Sequence, residues 1–577
     1  MTPARVFMLS AAILVFASPE LFRAAFAATP PYLAVTALLT LLVAAFAVLA
    51  PHEDRPSGAA SNAVSAAFAG GVAAAAVAIA AYRWTRLAVW LPYQADMLIA
   101  IREATRRVLD GHSPYVVYRA YDAPWEMAMP YGPALWGPYL AAQLLRLDFR
   151  LFTIAGELFV PVWCGIAASI EASRGRAACA AGWLALLAAL VLTLDVQRFT
   201  LIGHTPVYWP LFLVLAFSMD RSSLAAACTM GVLVIARTTM VAMVPVFLFA
   251  AFTAERKRFP AMLATMTATI AIGLAPFAIA DSGGLWDSMV LSYPRVMKAA
   301  VWPVLARPGL ETIGITEWLL ETGRERLIVP VQIAAMLIVW AAAAVAIKHD
   351  RRALPWMALA VFMFSMTTLY PVHYLYYDVL LLLAADAVAQ TVDVAAAPRT
   401  AAPALVSLVG IGALLFSMVR AVASPFPRVV PGEASRDREL RSGFSSIEHN
   451  SEGAFSWIAG REARIVLPRS SAAAADIVLT AESPFDANQP PQHMTALLNG
   501  ALVGDTAIPP GRRQIRIPAP RSAWWIGYNE LRLVLASTVV PRDVGAGSDR
   551  RALALLIGGI VVEPNEEAGK RIDRKVR

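Results

Sequence analysis

Long apolar runs recur through the first 422 residues, and no other feature restricts the fold as strongly. A helix that crosses a bilayer needs about 20 consecutive, mostly apolar residues. Candidate runs stand at Ala4–Leu21, Pro31–Ala50, Ala63–Tyr82, Leu151–Ile170, Ala177–Leu194, Thr205–Met219, Ser223–Ala236, Thr238–Thr253, Ala261–Ala280, Ile328–Ile347, Leu354–Tyr370, Asp378–Val392 and Ala404–Val422. They are continuous rather than alternating, so about 13 helical spans are expected and not a barrel. Ser223–Thr253 is too short for two ideal spans, which predicts a broken or tilted pair there. The first run also fits a cleaved signal peptide, since Arg5 precedes a short apolar core and Ala25-Phe26-Ala27 follows it. The second apolar run close behind favours a retained helix.

Charge divides the chain in two. Residues 1–422 hold 53 of the 90 charged side chains, about 13% of that segment, while residues 423–577 hold 37 in 155, about 24%. The second value is that of a soluble domain. The expected organisation is an N-terminal membrane hairpin (1–62), a membrane domain (63–422) with a first outer loop at 83–150, a linker (423–453) and a soluble domain (454–577). The net charge of +8 does not imply nucleic acid, because the tail carries 20 basic and 17 acidic residues. Much of the remaining excess sits in short loops, where basic residues set topology. Cys164, Cys179 and Cys228 all lie in apolar runs, so no disulfide can form within the tail. Cysteine usage therefore does not identify a compartment.

Lys and Arg mark the cytoplasmic ends of spans. Arg55, Arg174 and Arg176, Arg221, Arg256-Lys257-Arg258, Lys348, Arg351 and Arg352, and Arg399 fall in alternate loops. That parity places 83–150, 195–204, 281–327, 371–377 and the tail on the opposite side. It requires Tyr131–Arg146 to lie along the membrane surface, which its Pro, Gly and Trp content suits.

The first outer loop is the most informative stretch. After Tyr93-Gln94-Ala95-Asp96, the residues Met97, Ile101, Ala104 and Val108 share one helical face, with Arg102, Glu103, Arg106 and Asp110 opposite. Gly111 and Pro114 supply the stop. An amphipathic helix of this kind suits the membrane interface. Asp96 heads that helix, where the dipole favours a carboxylate. It is either an N-cap or a carboxylate held where a lipid headgroup meets a water-borne acceptor.

Asp96, Gly111-His112-Ser113-Pro114-Tyr115 and Met129-Pro130-Tyr131-Gly132-Pro133 together resemble the GT-C glycosyltransferases, most closely the polyprenyl-phosphate-mannose-type family, glycosyltransferase family 87. Members often show Asp, then Gly-x-x-Pro-Tyr, then a Tyr-Pro-Pro-like element, which here is Tyr131-Gly132-Pro133. Gly203-His204-Thr205 stands where members often carry Gly-Gln-x, and Arg237-Thr238-Thr239 where Lys-x-Pro or Lys-Pro-Thr is usual. Pro371-Val372-His373-Tyr374-Leu375-Tyr376-Tyr377 resembles a Pro…His-Tyr-Tyr element. The resemblance covers roughly residues 63–392. It implies transfer of a sugar from a polyprenyl-phosphate-linked donor to a glycan or lipid acceptor, usually with inversion, at a bacterial inner membrane with the tail periplasmic. Asp96 takes the family's position for a general base, with Glu126 and Asp122 in reserve. His373 and Arg237 are the candidates to hold the donor phosphate. Gly111, Pro114, Tyr115, Tyr131, Pro133, His204 and Tyr377 are further motif positions. No resident cofactor is implied, the need for a divalent metal stays open, and the lipid-linked sugar is a co-substrate. A lipid or glycan transporter is a rival, although it usually has repeated halves and no internal repeat is visible. A non-catalytic sugar-binding assembly subunit is another.

In the tail, Pro425, Pro427 and Pro431 mark the linker. Short strand-like runs follow at Ala463–Leu467, Ile477–Thr480, Met494–Leu498, Ala501–Val503, Gln514–Ile517, Glu530–Leu535 and Leu553–Val562. Asn499-Gly500 between two of them is a strong hairpin signal. Such spacing predicts a β-sandwich. Trp457, Asn499-Gly500, Gly527-Tyr528-Asn529-Glu530-Leu531 and Ser548-Asp549-Arg550-Arg551 resemble the jelly-roll, carbohydrate-binding-like domains appended to some GT-C enzymes. Trp524 and Trp525 are expected in a core or an interface rather than on a sugar platform.

Overall fold

A computed structural model of the protein describes residues 59–88, 96–119, 126–147, 149–192, 206–292, 315–350, 352–368, 375–391, 428–432, 440–467, 473–484, 491–525, 529–545 and 547–564. A helical region is followed by an antiparallel β region of two sheets. The helices are α1 (Ala59–Ala88), α2 (Asp96–Leu109), α3 (Pro133–Trp136), α4 (Pro138–Leu145), α5 (Arg150–Ser173), α6 (Ala177–Leu192), α7 (Pro210–Ser218), α8 (Ser223–Ala236), α9 (Val244–Ala254), α10 (Phe259–Met289), α11 (Ile315–Glu321), α12 (Ile328–Asp350), α13 (Leu354–Thr367) and α14 (Leu375–Thr391).

The thirteen expected spans are not what the structure holds. Among the described residues three helices are long and apolar enough to cross a bilayer: Leu151–Ser173, Phe259–Met289 and Glu325–Lys348. At 1.5 Å per residue, helices such as α8 and α13 cover only about 21 Å of a roughly 30 Å hydrocarbon core. Their runs are apolar because they are packed inside the helical region. α14 is buried along almost its whole length, and α13 along most of its own. The long helices α10 and α12 instead expose apolar side chains such as Ile272, Ile279 and Ile338, as lipid-facing helices do. The expected runs Ala4–Leu21, Pro31–Ala50 and Ala404–Val422 lie outside the described residues.

Breaks occur where the sequence supplies them. α8 starts on the Ser222 side chain, which accepts a bond from the Ala225 N–H, and ends at Arg237, whose backbone is extended (φ −140°, ψ 133°). A 3₁₀ turn over Thr238–Met243 then leads into α9, so Ser223–Thr253 forms a broken pair. α10 is interrupted at Asp281 (φ −161°, ψ 84°), whose Oδ1 accepts the Gly284 N–H at 2.8 Å and so caps the final segment.

The β region is a face-to-face sandwich around its own core. Its strands are β3 (Arg428–Val429), β4 (Leu440–Ser442), β5 (Glu448–Asn450), β6 (Gly453–Ala459), β7 (Glu462–Val466), β8 (Ala475–Ser483), β9 (Gln492–Leu498), β10 (Ala501–Ile508), β11 (Gly511–Ala519), β12 (Glu530–Leu535) and β13 (Leu553–Pro564). One sheet runs β10-β9-β12-β7-β4 and the other β11-β8-β13-β6-β5, with β3 added on β13. Ile465, Leu498 and Leu533 of the first meet Ile458, Leu479 and Ile560 of the second. The segment 423–453 is more than a linker, because β3, β4 and β5 pair into both sheets. These strands are two or three residues long and carry no alternation for a sequence pattern to register. Asn499 (φ 53°) and Gly500 (φ 85°) form the left-handed turn between β9 and β10.

The first outer loop is built from α2, a short hairpin of β1 (Val117–Arg119) and β2 (Glu126–Ala128), and the helices α3 and α4. Met97, Ile101 and Ala104 on the apolar face of α2 are buried in the helical core. The helix therefore does not lie free in a membrane interface. On its opposite face Arg102 alone is buried, 8% exposed, where it meets the sandwich.

Candidate functional site

Beneath the outer loop, four side chains from three segments of the helical core form one buried polar cluster. Arg237 follows α8, Tyr208 and Trp209 precede α7, and Asp378 lies in the first turn of α14. Asp378 Oδ1 accepts the Tyr208 hydroxyl at 2.5 Å and the Trp209 indole N–H at 2.9 Å. Arg237 Nη1 lies 3.2 Å from Asp378 Oδ2 and donates to the Tyr208 hydroxyl at 2.9 Å. Arg237 and Asp378 are 5% and 1% exposed. A buried pair of opposite charges persists only when its remaining hydrogen-bonding capacity is also met, and here an aromatic hydroxyl and an indole meet it.

The backbone just before Arg237 meets the outer loop. The Gly132 N–H bonds the Ala236 carbonyl at 3.3 Å, and a β-carbon on Gly132 would collide with the carbonyl oxygen of Ile235. Gly132 has ordinary extended backbone (φ −79°), so close approach rather than conformational freedom calls for glycine. Gly156 of α5 repeats the device against the Pro206 carbonyl, and brings Glu157 beside the cluster. Glu157, Trp209 and Tyr377 share the lining of a small, mostly apolar cavity with Pro161, Leu190, Leu380 and Leu381.

The Gly-x-x-Pro-Tyr element is an ordered turn. Gly111 adopts φ 77°, and the His112 N–H closes on the Arg107 carbonyl at 2.7 Å. Arg107 Nε donates to the Ser113 carbonyl at 2.9 Å, and the Tyr118 hydroxyl to the Pro114 carbonyl at 2.5 Å. Tyr115 is buried against Phe277 of α10, as is Trp136 of α3, both edge to face at 5.4 Å. Burial pushes the Tyr115 phenol up, so it stays protonated near neutral pH and is no proton acceptor. Ser292 Oγ, just beyond α10, reaches the Ala128 carbonyl of β2 at 3.3 Å.

The structure brings Tyr131 and Pro133 up to Arg237 through Gly132, and Tyr377 beside Trp209, while Gly111, Pro114 and Tyr115 form a separate turn packed on α10. Tyr115, Tyr131 and Tyr377 are buried, and Pro133 opens α3. Asp96 is the first residue of α2 and Glu126 the first of β2. Asp122, His204 and His373 lie outside the described residues. Arg237, expected at a donor phosphate, has its charge directed into Asp378 instead. No sequence motif marks its partners Asp378, Tyr208 and Trp209. An acidic residue inside the apolar run Leu375–Ala389 was the available signal, because ionisable groups at membrane depth are paired or functional. Among the described residues no group of three or more His, Cys, Asp and Glu could hold a metal. Compared with protein-family models and with curated proteins, the chain matches none.

Proposed function

We propose that this protein is a membrane-embedded glycosyltransferase. It moves a sugar from a polyprenyl-phosphate-linked donor to a glycan or lipid acceptor on the periplasmic face of a bacterial inner membrane. One observation carries the reading: the motif segment at residues 131–133 closes on the backbone beside Arg237, and Tyr377 adjoins Asp378, so three motif segments far apart in sequence meet at one buried ion pair. In the proposed reaction the Asp96 carboxylate takes the proton of the acceptor hydroxyl as that oxygen attacks the anomeric carbon. The bond from the anomeric carbon to the phosphate oxygen breaks on the opposite face, which inverts the centre. The polyprenyl phosphate leaves with the electron pair, and His373 stabilises its charge. Arg237 acts at one remove by fixing the backbone of Ala236 and hence Tyr131–Pro133. The two-sheet sandwich serves as an accessory domain of the jelly-roll, carbohydrate-binding-like kind, packed on the helical region.

Asp96→Asn discriminates between the two roles of that residue. Asn caps a helix about as well as Asp, so a capping role predicts normal stability and normal turnover. A base role predicts normal stability with turnover reduced roughly 100-fold or more. Mass spectrometry of lipid-linked and surface glycans from a deletion strain complemented with each form reads this directly. Loss of one sugar, restored by wild type and not by Asp96→Asn, is the expected result; unchanged glycans in the deletion strain would end the proposal.

A further inference from the structure

Asn499 does more than turn the chain between β9 and β10. Its Oδ1 accepts the Glu530 N–H at 3.0 Å and Arg102 Nη2 at 2.6 Å. Its Nδ2 donates to the Ala523 carbonyl at 2.9 Å and to Asn529 Oδ1 at 2.8 Å. A side-chain amide has two donors and two acceptor sites, so these four bonds use its capacity in full. Three of them tie loops of the sandwich together. The fourth crosses to α2.

Arg102 makes a second contact across the same joint. Its guanidinium lies 4.8 Å over the Trp525 ring, and Trp525 in turn packs on Phe149 at the start of α5, 6.1 Å between ring centroids. Trp524 belongs to the sandwich core and Trp525 to the helical core, so adjacent residues pin one domain to the other. Gly500, left-handed at φ 85°, passes close to the end of the Arg106 side chain. Charge-assisted bonds and cation–π contacts gain strength in such a desolvated place.

The 14 residues of α2 are too few to hold a stable helix alone in water. Its order comes from two packed faces, one of them supplied by the sandwich. Asp96 stands six residues, about 9 Å, from Arg102 along the same rigid element. We infer that the sandwich acts on the reaction through α2, with Arg102, held by Asn499 and Trp525, as a positioning residue for the Asp96 carboxylate. This rests on the reading of Asp96 as the base.

The test uses the full-length protein in lipid nanodiscs, comparing wild type, Arg102→Gln, Arg102→Lys, Trp525→Phe and Asp96→Asn. Hydrogen–deuterium exchange over residues 96–109 needs no substrate. Arg102→Gln should raise amide exchange there about tenfold or more, with exchange in β7 and β13 unchanged. Turnover is read as polyprenyl phosphate released from synthetic polyprenyl-phosphate mannose in the presence of a glycolipid extract. Arg102→Gln should lower kcat about tenfold with an unchanged donor KM, and Arg102→Lys should recover part of the loss. Should Arg102→Gln fail to fold, Trp525→Phe reads the same coupling. Unchanged exchange in α2 overturns the joint itself, whatever the chemistry. Raised exchange with unchanged kcat overturns positioning. Normal turnover of Asp96→Asn overturns the reading of Asp96 while leaving the exchange result intact.

Discussion

Removing either partner of the Arg237–Asp378 pair should be among the most damaging single changes in the helical region. Asp378→Leu strips the buried guanidinium of its counter-charge and leaves the Tyr208 hydroxyl and Trp209 indole without the acceptor they now share. Breaking one side of a buried pair costs about 3–5 kcal/mol, and Arg237→Met should cost about as much. If the two losses were independent, the double variant would lose about 6–10 kcal/mol. The geometry predicts otherwise. With both charges gone, the remaining penalty is two unpaired donors, about 1–3 kcal/mol each. The double variant should therefore lose about 2–6 kcal/mol, a coupling of several kcal/mol. Thermal unfolding in one detergent at one scan rate, followed by a probe on the helical region, makes the comparison free of a two-state assumption for the whole chain. Additive losses, or single variants within about 1 kcal/mol of wild type, would show that the pair does not hold the core together.

Gly132→Ala should destabilise by about 1–3 kcal/mol, as overpacking does, because its β-carbon meets the fixed Ile235 carbonyl; an unshifted melting temperature would mean the loop can move aside. Glu530 predicts a pH dependence. Burial raises its pKa, opposed by Arg102, with Glu103, Arg106 and Arg532 also facing it and Arg464 3.9 Å away. A folded pKa above the unfolded value makes the ionised carboxylate the unfavourable form in the fold. Its contribution therefore improves as pH falls through the folded pKa toward the ordinary carboxylate value. Glu530→Gln should melt higher than wild type at mildly alkaline pH, with the gap closing on acidification; a gap independent of pH refutes the assignment. In a cysteine-free background, Asp505→Cys should react with an impermeant maleimide added to intact spheroplasts and Lys257→Cys only after lysis; labelling of both from one side would overturn the orientation.

Much of the helical layout is visible in apolar periodicity, and the faces of α2 follow from its residues alone. The hairpin at Asn499-Gly500 is equally legible, since few dipeptides accept two successive left-handed positions. What periodicity misses is destination. Thirteen apolar runs look like spans because burial in protein and burial in lipid select the same side chains. Only length separates α13 from a crossing helix. Likewise Arg102 looks solvated on a helical wheel, because its partners Asn499 and Trp525 lie about 400 residues away in sequence. The candidate site is half legible for the same reason. Motif positions can be picked out one at a time, but the Asp378 carboxylate that pairs with Arg237 shows only as an acid in an apolar run.

The contacts also sort the loops by side, independently of the charges first used to assign them. Residues of the first outer loop touch the sandwich through Arg102 and the segment after α10 through Ser292. The outer end of α8 meets the same loop at Gly132. At the far ends, Arg174 donates to the Thr391 carbonyl at 2.9 Å, and Arg352 pairs with Asp386 at 3.0 Å. Arg174 and Arg352 belong to loops that the basic-residue rule gives to the cytoplasm. Packing thus groups these ends into the same two sets that the basic residues separate. It puts the Asp96 end of α2, the Tyr131–Pro133 loop and the whole sandwich on one face, and makes the Arg102–Asn499 joint a contact within that face.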